Sequence, residues 1–358
     1  RDQRSVYGFD LSDTLDFDRW RLRGGIGGRR DDIDHVGLCR TVDRRCVTPI
    51  RDDDVVEDSV NLWLDAEYRF SDQLRGYLGL RHDRYDFDVA AIEAENSGSA
   101  QASISSPKAS LIYAPAHSVE LYASWGEGFH SNDARGATLH LDPVSGEPAD
   151  PVTPLARSRG SELGARLFVS ERMHATLSLW QLDLESELLY VGDAGTTEAN
   201  RPSDRRGAEL GLYWFADERY SGELEMQYTR SRFADDDPAG DHIPGAVPFT
   251  VSAGINGRWD HGWNATLRWR HVGAYPLIED DSQRADGSDM LNLRVGRELG
   301  AWNIDLELLN LLDSEDHDIE YYYASRLPGE PDAGIEDRHF HVFEPRAVRL
   351  SVSFAFGD

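Results

Sequence analysis

Four polar side chains of different chemistry lie within six residues of one another near the middle of the chain. They supply an imidazole, an amide, a carboxylate and a guanidinium group, and they are His130, Asn132, Asp133 and Arg135. The segment follows directly on a run of alternating residues that is typical of a β-strand. Because recognition concentrates on loops held by a rigid scaffold, these four residues are candidates for ligand binding.

A second group, closer to the end of the chain, is aromatic and cationic. It consists of three consecutive tyrosines and an arginine, namely Tyr321, Tyr322, Tyr323 and Arg326. Charge and stacking together could hold an anionic chelate at such a cluster. The ordinary alternative is that these side chains only order and solvate a loop.

Two histidines follow, His339 and His341, next to the carboxylates of Glu336 and Asp337. Imidazole and carboxylate groups could contact a metal, although loop ordering and solvation is again the commoner explanation for such a short pattern. The spacing matches no dedicated metal-binding motif, and we expect no resident metal site.

The sequence contains no motif that indicates catalysis. It has no glycine-rich phosphate loop, no C-x-x-C and no H-E-x-x-H. His130, Ser131 and Asp133 lie too close in sequence to be read as a catalytic triad, which is recognised by spatial geometry. We therefore expect a protein that is not an enzyme and needs no cofactor. A hydrolase whose active site lies at the edge of a β-barrel is a minor alternative.

The elements that would position these residues are β-strands. Between Val119 and Trp125, apolar and polar residues alternate with a period of two, which predicts a strand between an apolar and a polar environment. The same pattern recurs in about fourteen segments of ~10 residues, a length that crosses a membrane at a tilt.

The connections between the predicted strands are alternately short and long. Residues 71–73 and 260–262 form tight turns, whereas residues 29–55, 130–158 and 313–345 form long polar loops. Aromatic residues gather near the short turns, as in the aromatic girdle at a membrane interface. The prediction is an all-β fold, an antiparallel transmembrane β-barrel with short periplasmic turns and long extracellular loops.

Composition is consistent with this fold and excludes other classes. The chain has 358 residues, 40% hydrophobic residues and a formal net charge of -28. Its mean hydropathy is -0.54, and no apolar run approaches the ~20 residues that a membrane helix requires. Phosphate binding needs a basic face, so nucleic acid is not an expected partner.

The two cysteines are Cys39 and Cys46, close together in a segment rich in charged residues. In an oxidising compartment they could close a small disulfide loop. The alternative is two unpaired thiols. We favour the disulfide because the chain has only these two cysteines and they are so close in sequence.

Three segments resemble the C-terminal half of the barrel of TonB-dependent outer-membrane receptors. They are W-G-E-G-F-H-S-N-D-A-R-G at residues 125–136, N-L-L-D at residues 310–313, and E-P-R-A-V-R-L-S-V-S-F-A-F at residues 344–356. The first is similar to a mid-barrel signature of the family, and the third is similar to its last strand. The repeated strand pattern extends the resemblance over nearly the whole chain.

The resemblance implies a multi-pass barrel in the outer membrane of a Gram-negative bacterium, which imports a scarce, bulky ligand. A siderophore-type metal chelate is the commonest such ligand. Receptors of this kind have a barrel of roughly 22 strands filled by an N-terminal plug, with a short box that engages TonB. Residues 1–358 are therefore expected to be the C-terminal barrel portion, with the plug and the TonB box absent. The expected partners are the TonB complex, outer-membrane lipid, lipopolysaccharide and the small-molecule ligand.

Two further interpretations stay open from the sequence. One is a passive porin with a smaller, self-contained barrel, and the other is a surface adhesin or phage-docking barrel. The acidic loops repel anions at long range and would suit a cationic or neutral ligand, or divalent cations that bridge to lipopolysaccharide.

Overall fold

The computed structural model describes residues 3–191, 196–199, 201–331 and 333–356. Contacts divide the chain into two units. The first unit contains Arg1–Tyr113, Tyr122–Glu162 and Leu182–Ser203. The second unit contains Ala114–Leu121, Leu163–Gln181 and Asp204–Asp358. The predicted all-β fold class is confirmed, since strands account for most of the described residues.

The strands of the described residues, in chain order, are β1 Gln3–Asp16, β2 Trp20–Val42, β3 Arg45–Arg69, β4 Leu74–Ala90, β5 Gly98–Ala116, β6 Val119–Ser131, β7 Leu155–Ser170, β8 Met173–Leu184, β9 Leu188–Val191, β10 Thr196–Ala199, β11 Ser203–Phe215, β12 Tyr220–Phe233, β13 Phe249–Trp259, β14 Trp263–Val272, β15 Tyr275–Pro276, β16 Arg284–Ala285, β17 Ser288–Leu299, β18 Trp302–Leu309, β19 His317–Ser325, β20 Ile335–Val342 and β21 Ala347–Phe354. One short helix, α1, covers Ala134–Ala137, and single 3₁₀ turns cover Ala94–Asn96 and Asp260–Gly262.

Fifteen of these described strands form one sheet, in which neighbours follow the order of the chain. The other six form three separate two-stranded hairpins: β9 with β10, β15 with β16, and β19 with β20. The sequence prediction of about fourteen strands is therefore close for the main sheet. It did not predict the three hairpins, of which β19–β20 lies within the predicted long loop at residues 313–345.

Strand β3 shows how alternation produces two faces. Leu62 and Leu64 are 62% and 63% exposed on one face, as expected for side chains that meet lipid rather than water. Asp65 on the other face is 6% exposed, and it accepts a hydrogen bond of 2.8 Å from Arg23 Nε. An apolar face opposite a face of paired charges is the arrangement that the period of two predicted.

The apolar face of β3 ends at a definite level. The unbroken run of apolar residues on it stops at Val60, and the next residue on the same face is Asp58. Asp58 lies opposite Arg30 in the ladder, and its carboxylate is 2.7 Å from the Arg30 guanidinium. Both side chains are exposed, so residues of β2 and β3 from this pair to their shared turn lie beyond the apolar face. We call this part, residues 30–58, the β2–β3 extension.

The prediction of a loop at residues 29–55 is wrong. Strand β2 continues to Val42 and β3 begins at Arg45, so that only a two-residue turn separates them. The turn residues Asp43 and Arg44 have φ values of 51° and 63°, the pair of positive values that closes a two-residue hairpin. The predicted loop at residues 313–345 likewise contains the hairpin of β19 and β20.

Burial explains why the extension is ordered. On its inner face, Arg51 and Asp53 are almost fully buried and form an ion pair of 3.2 Å. Beside them lies an apolar cluster in the first unit that consists of Ile33, Val55, Phe87, Val89, Ile104, Ala134 and Leu155. Folding of the extension therefore removes this apolar cluster from water.

The short turns carry aromatic residues at their edges. In the first unit the rings of Trp20 and Tyr68 are 4.5 Å apart. In the second unit Trp302 and Phe354 are 4.7 Å apart, and Trp259 Nε1 donates a hydrogen bond of 2.9 Å to Tyr220 Oη. Their positions match the predicted clustering. In the described part of the chain, no helix has the length and apolar character to cross a membrane.

We predict that Phe87→Ala destabilises the β2–β3 extension. The side chain is 1% exposed, and truncation of a buried phenylalanine costs about 3–5 kcal/mol. Limited proteolysis of the purified protein should show faster cleavage within residues 30–58. Val42→Ala is the matched control, because Val42 is 59% exposed and such changes usually stay within about 0.5 kcal/mol. Equal cleavage rates in the two variants would contradict the role of the cluster.

A second prediction concerns the cysteines. Cys39 and Cys46 lie across the β2–β3 hairpin with their Cα atoms 5.5 Å apart, a separation that suits a disulfide. Alkylation without reductant followed by mass spectrometry should find the two peptides cross-linked and unmodified. Replacing both residues by serine should lower the local stability of the hairpin tip by about 2 kcal/mol, seen as faster hydrogen exchange there. Alkylated cysteines in the unreduced protein would show two free thiols instead.

Candidate ligand-binding site

A polar cavity of about 300 Å³ lies in the first unit at the level of the β2–β3 extension. Strands β1 to β4 form one side of it, and the end of β6 with the following segment forms the other. Its lining residues are Arg4, Arg29, Asp31, Ile33, Glu57, Ser59, Tyr85, Ser131, Asn132 and Asp133. Nearly all of these side chains carry a charge or a hydrogen-bonding group.

The strand register brings the lining residues together. In the β2–β3 ladder Asp31 lies directly opposite Glu57, and Arg29 lies opposite Ser59. The next ladder places Ser59 opposite Tyr85. Directly opposed residues point to the same face, so three neighbouring strands present their polar groups to one cavity. Like charges directly opposite each other are destabilising unless something compensates them.

Part of that compensation comes from Arg29. Its Nε and Nη2 atoms donate hydrogen bonds of 2.5 and 2.8 Å to the two oxygens of Asp31, which is 6% exposed. This two-point geometry is the strong form of a guanidinium–carboxylate contact. The charge of Asp31 is therefore largely balanced within its own strand.

Glu57 is less well compensated. Among the described residues, no arginine, lysine or histidine nitrogen lies within 4 Å of its carboxylate. Burial raises the pKa of Glu57, and the neighbouring charges of Asp133 and Asp31 raise it further, against smaller opposing effects of Arg4 and the Ala134 backbone. Burial and the neighbouring carboxylates therefore disfavour the ionised form of Glu57.

Asp133 and Arg135 organise the other wall. The Asp133 carboxylate accepts hydrogen bonds of 2.9 Å from the backbone N–H and from Nε of Arg135, and one of 2.5 Å from Nη2. It thereby caps α1. Burial of Asp133 favours its neutral form, but the hydrogen bonds and charge of Arg135 outweigh burial and lower its pKa.

Asn132 is buried and is held by two hydrogen bonds. It is 2% exposed, its backbone N–H donates to the Pro154 carbonyl at 2.8 Å, and its Nδ2 donates to the Thr153 carbonyl. Its side-chain oxygen Oδ1 accepts no hydrogen bond from any described residue. A buried acceptor without a donor costs about 1–3 kcal/mol.

The structure thus separates the first predicted group into different positions. Asn132 and Asp133 line the cavity, Arg135 acts on it through Asp133, and His130 is not part of its lining. His130 is half-buried, and its Nε2 has no hydrogen-bond partner among the described residues. The sequence interpretation missed the arginines and carboxylates of β1 to β3. Alternation of residues 29, 31 and 33 could have indicated them if the segment had been predicted as a strand.

The second and third predicted groups meet on the β19–β20 hairpin of the second unit. Tyr321 lies opposite His339, Tyr323 lies opposite Asp337, and His341 lies opposite Ile319, so these residues share one face. The rings of Tyr323 and His339 stack at 4.0 Å. Tyr321 and Tyr323 are 55% and 52% exposed, so both side chains are accessible to a ligand, although His339 covers one face of the Tyr323 ring.

The remaining residues of these groups are not part of that face. Tyr322 lies opposite Arg338 on the reverse face, and Arg326 donates to the Glu330 carbonyl at 3.3 Å in the hairpin turn. Glu336 lies opposite Ala324 on that reverse face, and so it is separated from the histidines.

The two histidines have other partners. His339 Nε2 is 3.2 Å from the Tyr323 carbonyl, and His341 Nδ1 is 2.9 Å from an Asp318 carboxylate oxygen. Within the described ranges, no three histidine, cysteine or acidic residues are grouped so that they could hold a metal ion. The suggested contact of His339, His341, Glu336 and Asp337 with one metal is therefore not assembled in the structure.

Comparison with known proteins identifies the group to which this fold belongs. A family model described as "TonB dependent receptor-like, beta-barrel" matches residues 1–311. The chain belongs to the TonB-dependent receptor β-barrel family. The resemblance drawn from the sequence is thereby confirmed.

Similar proteins include several metal receptors. The metal-pseudopaline receptor CntO of Pseudomonas aeruginosa is 27% identical over 177 residues, which cover 48% of this chain and 22% of that protein. The closed form of the ferric-catecholate import receptor Fiu of E. coli K12 superposes with a TM-score of 0.75 at 12% identity, over 99% of this chain and 55% of that chain.

A further similar structure is the ferric yersiniabactin uptake receptor FyuA of Yersinia pestis. Its TM-score is 0.71 at 15% identity, over 99% of this chain and 62% of that chain. At these identities the structural likeness establishes a shared fold. The chain spans 55% and 62% of the length of these two solved structures, and its match to the metal-pseudopaline receptor covers 22% of that protein.

The ion pair at α1 gives a prediction about pH. Because Arg135 lowers the pKa of Asp133 in the folded protein, the stabilising contribution of this carboxylate is complete at neutral pH and is lost as the pH falls through the lowered pKa. Asp133→Asn keeps the capping oxygen but loses the ion pair. It should destabilise residues 132–154 by about 1–2 kcal/mol at pH 7, measured by hydrogen exchange.

The difference between the wild type and Asp133→Asn should shrink on acidification. Asp150→Asn is the control, since Asp150 is an exposed carboxylate in the same segment. A difference that does not depend on pH would show that the charge of Asp133 does not stabilise this wall.

Proposed function

We propose that this chain is the barrel portion of an outer-membrane receptor that takes up a scarce, bulky ligand by TonB-coupled active transport. The observation that carries the proposal is the match to the family model over residues 1–311. A siderophore-type metal chelate is the favoured ligand, because the similar proteins include a metal-pseudopaline receptor and receptors for ferric-catecholate and ferric yersiniabactin. The proposal assigns no catalytic step and no cofactor.

Transport would also require a plug domain, a TonB box and the separate protein TonB. We place a plug domain and a TonB box N-terminal to the barrel in the whole receptor, since the chain covers 55% and 62% of two solved structures of the same fold. TonB in the periplasm would be the energy-coupling partner. The exposed apolar residues of the main sheet, such as Leu78 at 66%, would face outer-membrane lipid and lipopolysaccharide.

Two surfaces are proposed for ligand capture. One is the polar cavity of the first unit, and the other is the exposed face of the β19–β20 hairpin with Tyr321 and Tyr323. Both lie away from the tight turns, on segments that the main sheet holds in place. Binding residues are often found on segments that a rigid scaffold positions in this way. The net charge of -28 disfavours a ligand with a large negative charge and favours a neutral or cationic complex.

The test is metal uptake by the bacterium that carries this gene. Cells are grown under metal limitation and given radiolabelled iron, copper, zinc or nickel in complex with a panel of chelators. Deletion of the gene should abolish accumulation of at least one labelled complex, and deletion of tonB should have the same effect. Complementation with the intact gene should restore accumulation, which is the matched control.

Each alternative gives a different result. Conductance of the purified protein in planar bilayers, together with uptake that does not need TonB, would replace the proposal by a passive porin. Binding of the ligand, another cell surface or a phage without uptake would indicate an adhesin or docking barrel.

A further inference from the structure

We propose that the polar cavity of the first unit binds a protonated amine, so that the ligand of this receptor presents an ammonium group to Asn132 and Glu57. The assignment rests on the proposed function only in supposing that the cavity serves ligand capture. It is carried by three independent features of the cavity: an unsatisfied buried acceptor, the balance of charges, and its size.

The first feature is the Asn132 amide. Its Nδ2 must face the Thr153 carbonyl, because an oxygen in that position would oppose another oxygen. The other end of the amide is therefore Oδ1. Asn132 is 2% exposed, and its Oδ1 receives no hydrogen bond from any described residue. Buried polar groups in proteins are almost always satisfied. An occupant of the cavity that Asn132 lines would have to bring a donor.

The second feature is the charge that remains after internal pairing. The lining contains the carboxylates of Asp31, Glu57 and Asp133 and the guanidinium groups of Arg4 and Arg29. Arg29 is committed to Asp31, and Asp133 is committed to Arg135 outside the lining. Glu57 lies opposite Asp31 in the ladder and keeps no ion-pair partner within the described ranges. Glu57 and Arg4 are the lining charges left after this pairing, so a positive charge placed beside Glu57 would be attracted by its carboxylate and repelled by the Arg4 guanidinium.

The third feature is size and shape. A volume of about 300 Å³ corresponds to roughly ten water molecules, too little for a whole bulky chelate and enough for one polar group with a short stem. The Tyr85 ring forms part of the wall and is fixed by Phe87 and Phe129, with ring centroids 5.8 and 5.9 Å away. An aromatic face beside carboxylates is a favourable surface for an ammonium group.

Other occupants fit these features less well. An anion would meet three carboxylates, of which only two have a committed arginine. A bare divalent cation would find Arg4 and Arg29 in the lining, and no grouping of metal-binding side chains exists among the described residues. An ammonium group carries positive charge for Glu57 and N–H donors for Asn132 Oδ1, so one chemical group answers both needs.

The test uses the receptor that contains this chain, purified in detergent, and two small probes of equal size. Saturation-transfer NMR measures binding of n-propylammonium and of 1-propanol, which has the same shape but no charge. We expect n-propylammonium to bind and 1-propanol to give no signal. Glu57→Gln should weaken n-propylammonium binding by about tenfold, since it replaces a charged hydrogen-bond partner by a neutral one.

A second variant guards against misfolding. Arg4→Gln removes a repelling cation from the exposed strand β1, and it should tighten n-propylammonium binding by a few-fold, a gain that a damaged cavity would not produce. Glu95→Gln is the matched control, because Glu95 is an exposed carboxylate of the same unit outside the lining. It should leave binding unchanged.

Several results would overturn the assignment. Equal signals from 1-propanol and n-propylammonium would do so, as would undiminished binding of n-propylammonium by Glu57→Gln or weaker binding by Arg4→Gln. Displacement of n-propylammonium by calcium chloride would also do so, if sodium chloride at the same ionic strength does not displace it. These measurements need no transport. Failure of TonB-dependent uptake would therefore refute the proposed function and leave the amine site standing, whereas loss of probe binding would refute the site alone.

Discussion

Pairing of backbone N–H and C=O groups between neighbouring strands is the interaction on which the rest of the molecule depends. An apolar solvent offers these groups no partner, so each strand of the main sheet must satisfy them through its neighbours. The environment of each face then determines which side chains it carries. Leu62 and Leu64 lie on an apolar face, and Asp65 on the other face is paired with Arg23. The ladders also place the site, because the register that pairs the backbones is the one that sets Asp31 opposite Glu57.

The sequence predicted the parts of the fold in which the two faces differ in polarity. Alternation identified the strands around Leu62 and Leu78 because lipid and paired charge select different residues at successive positions. The same reasoning failed in the β2–β3 extension. There Arg29 and Asp31 face the cavity while Arg30 pairs with Asp58 on an exposed face, so both faces are polar and the hydrophobic period of two disappears although the strand continues.

The candidate site was predicted only where its residues are neighbours in sequence. Asn132 and Asp133 stand together after a strand, and their position past the strand end was enough to select them. Arg4 and Glu57 come from other strands, and only the long-range register joins them to that segment. The β19–β20 hairpin shows the converse, since residues adjacent in sequence, such as Tyr322 and Tyr323, are separated onto opposite faces by the strand that contains them.

The β2–β3 extension has a consequence for how relatives of this chain can diverge. From Asp58 back to Val55 the two strands pair without interruption, and irregularities in the register occur only beyond Ile33. Insertion of two residues into each strand would raise the hairpin by about 7 Å and keep every side chain on its face, whereas insertion of one would exchange the two faces. In related proteins this hairpin can therefore change length by two residues per strand close to the cavity, and by any number of residues near the hairpin tip.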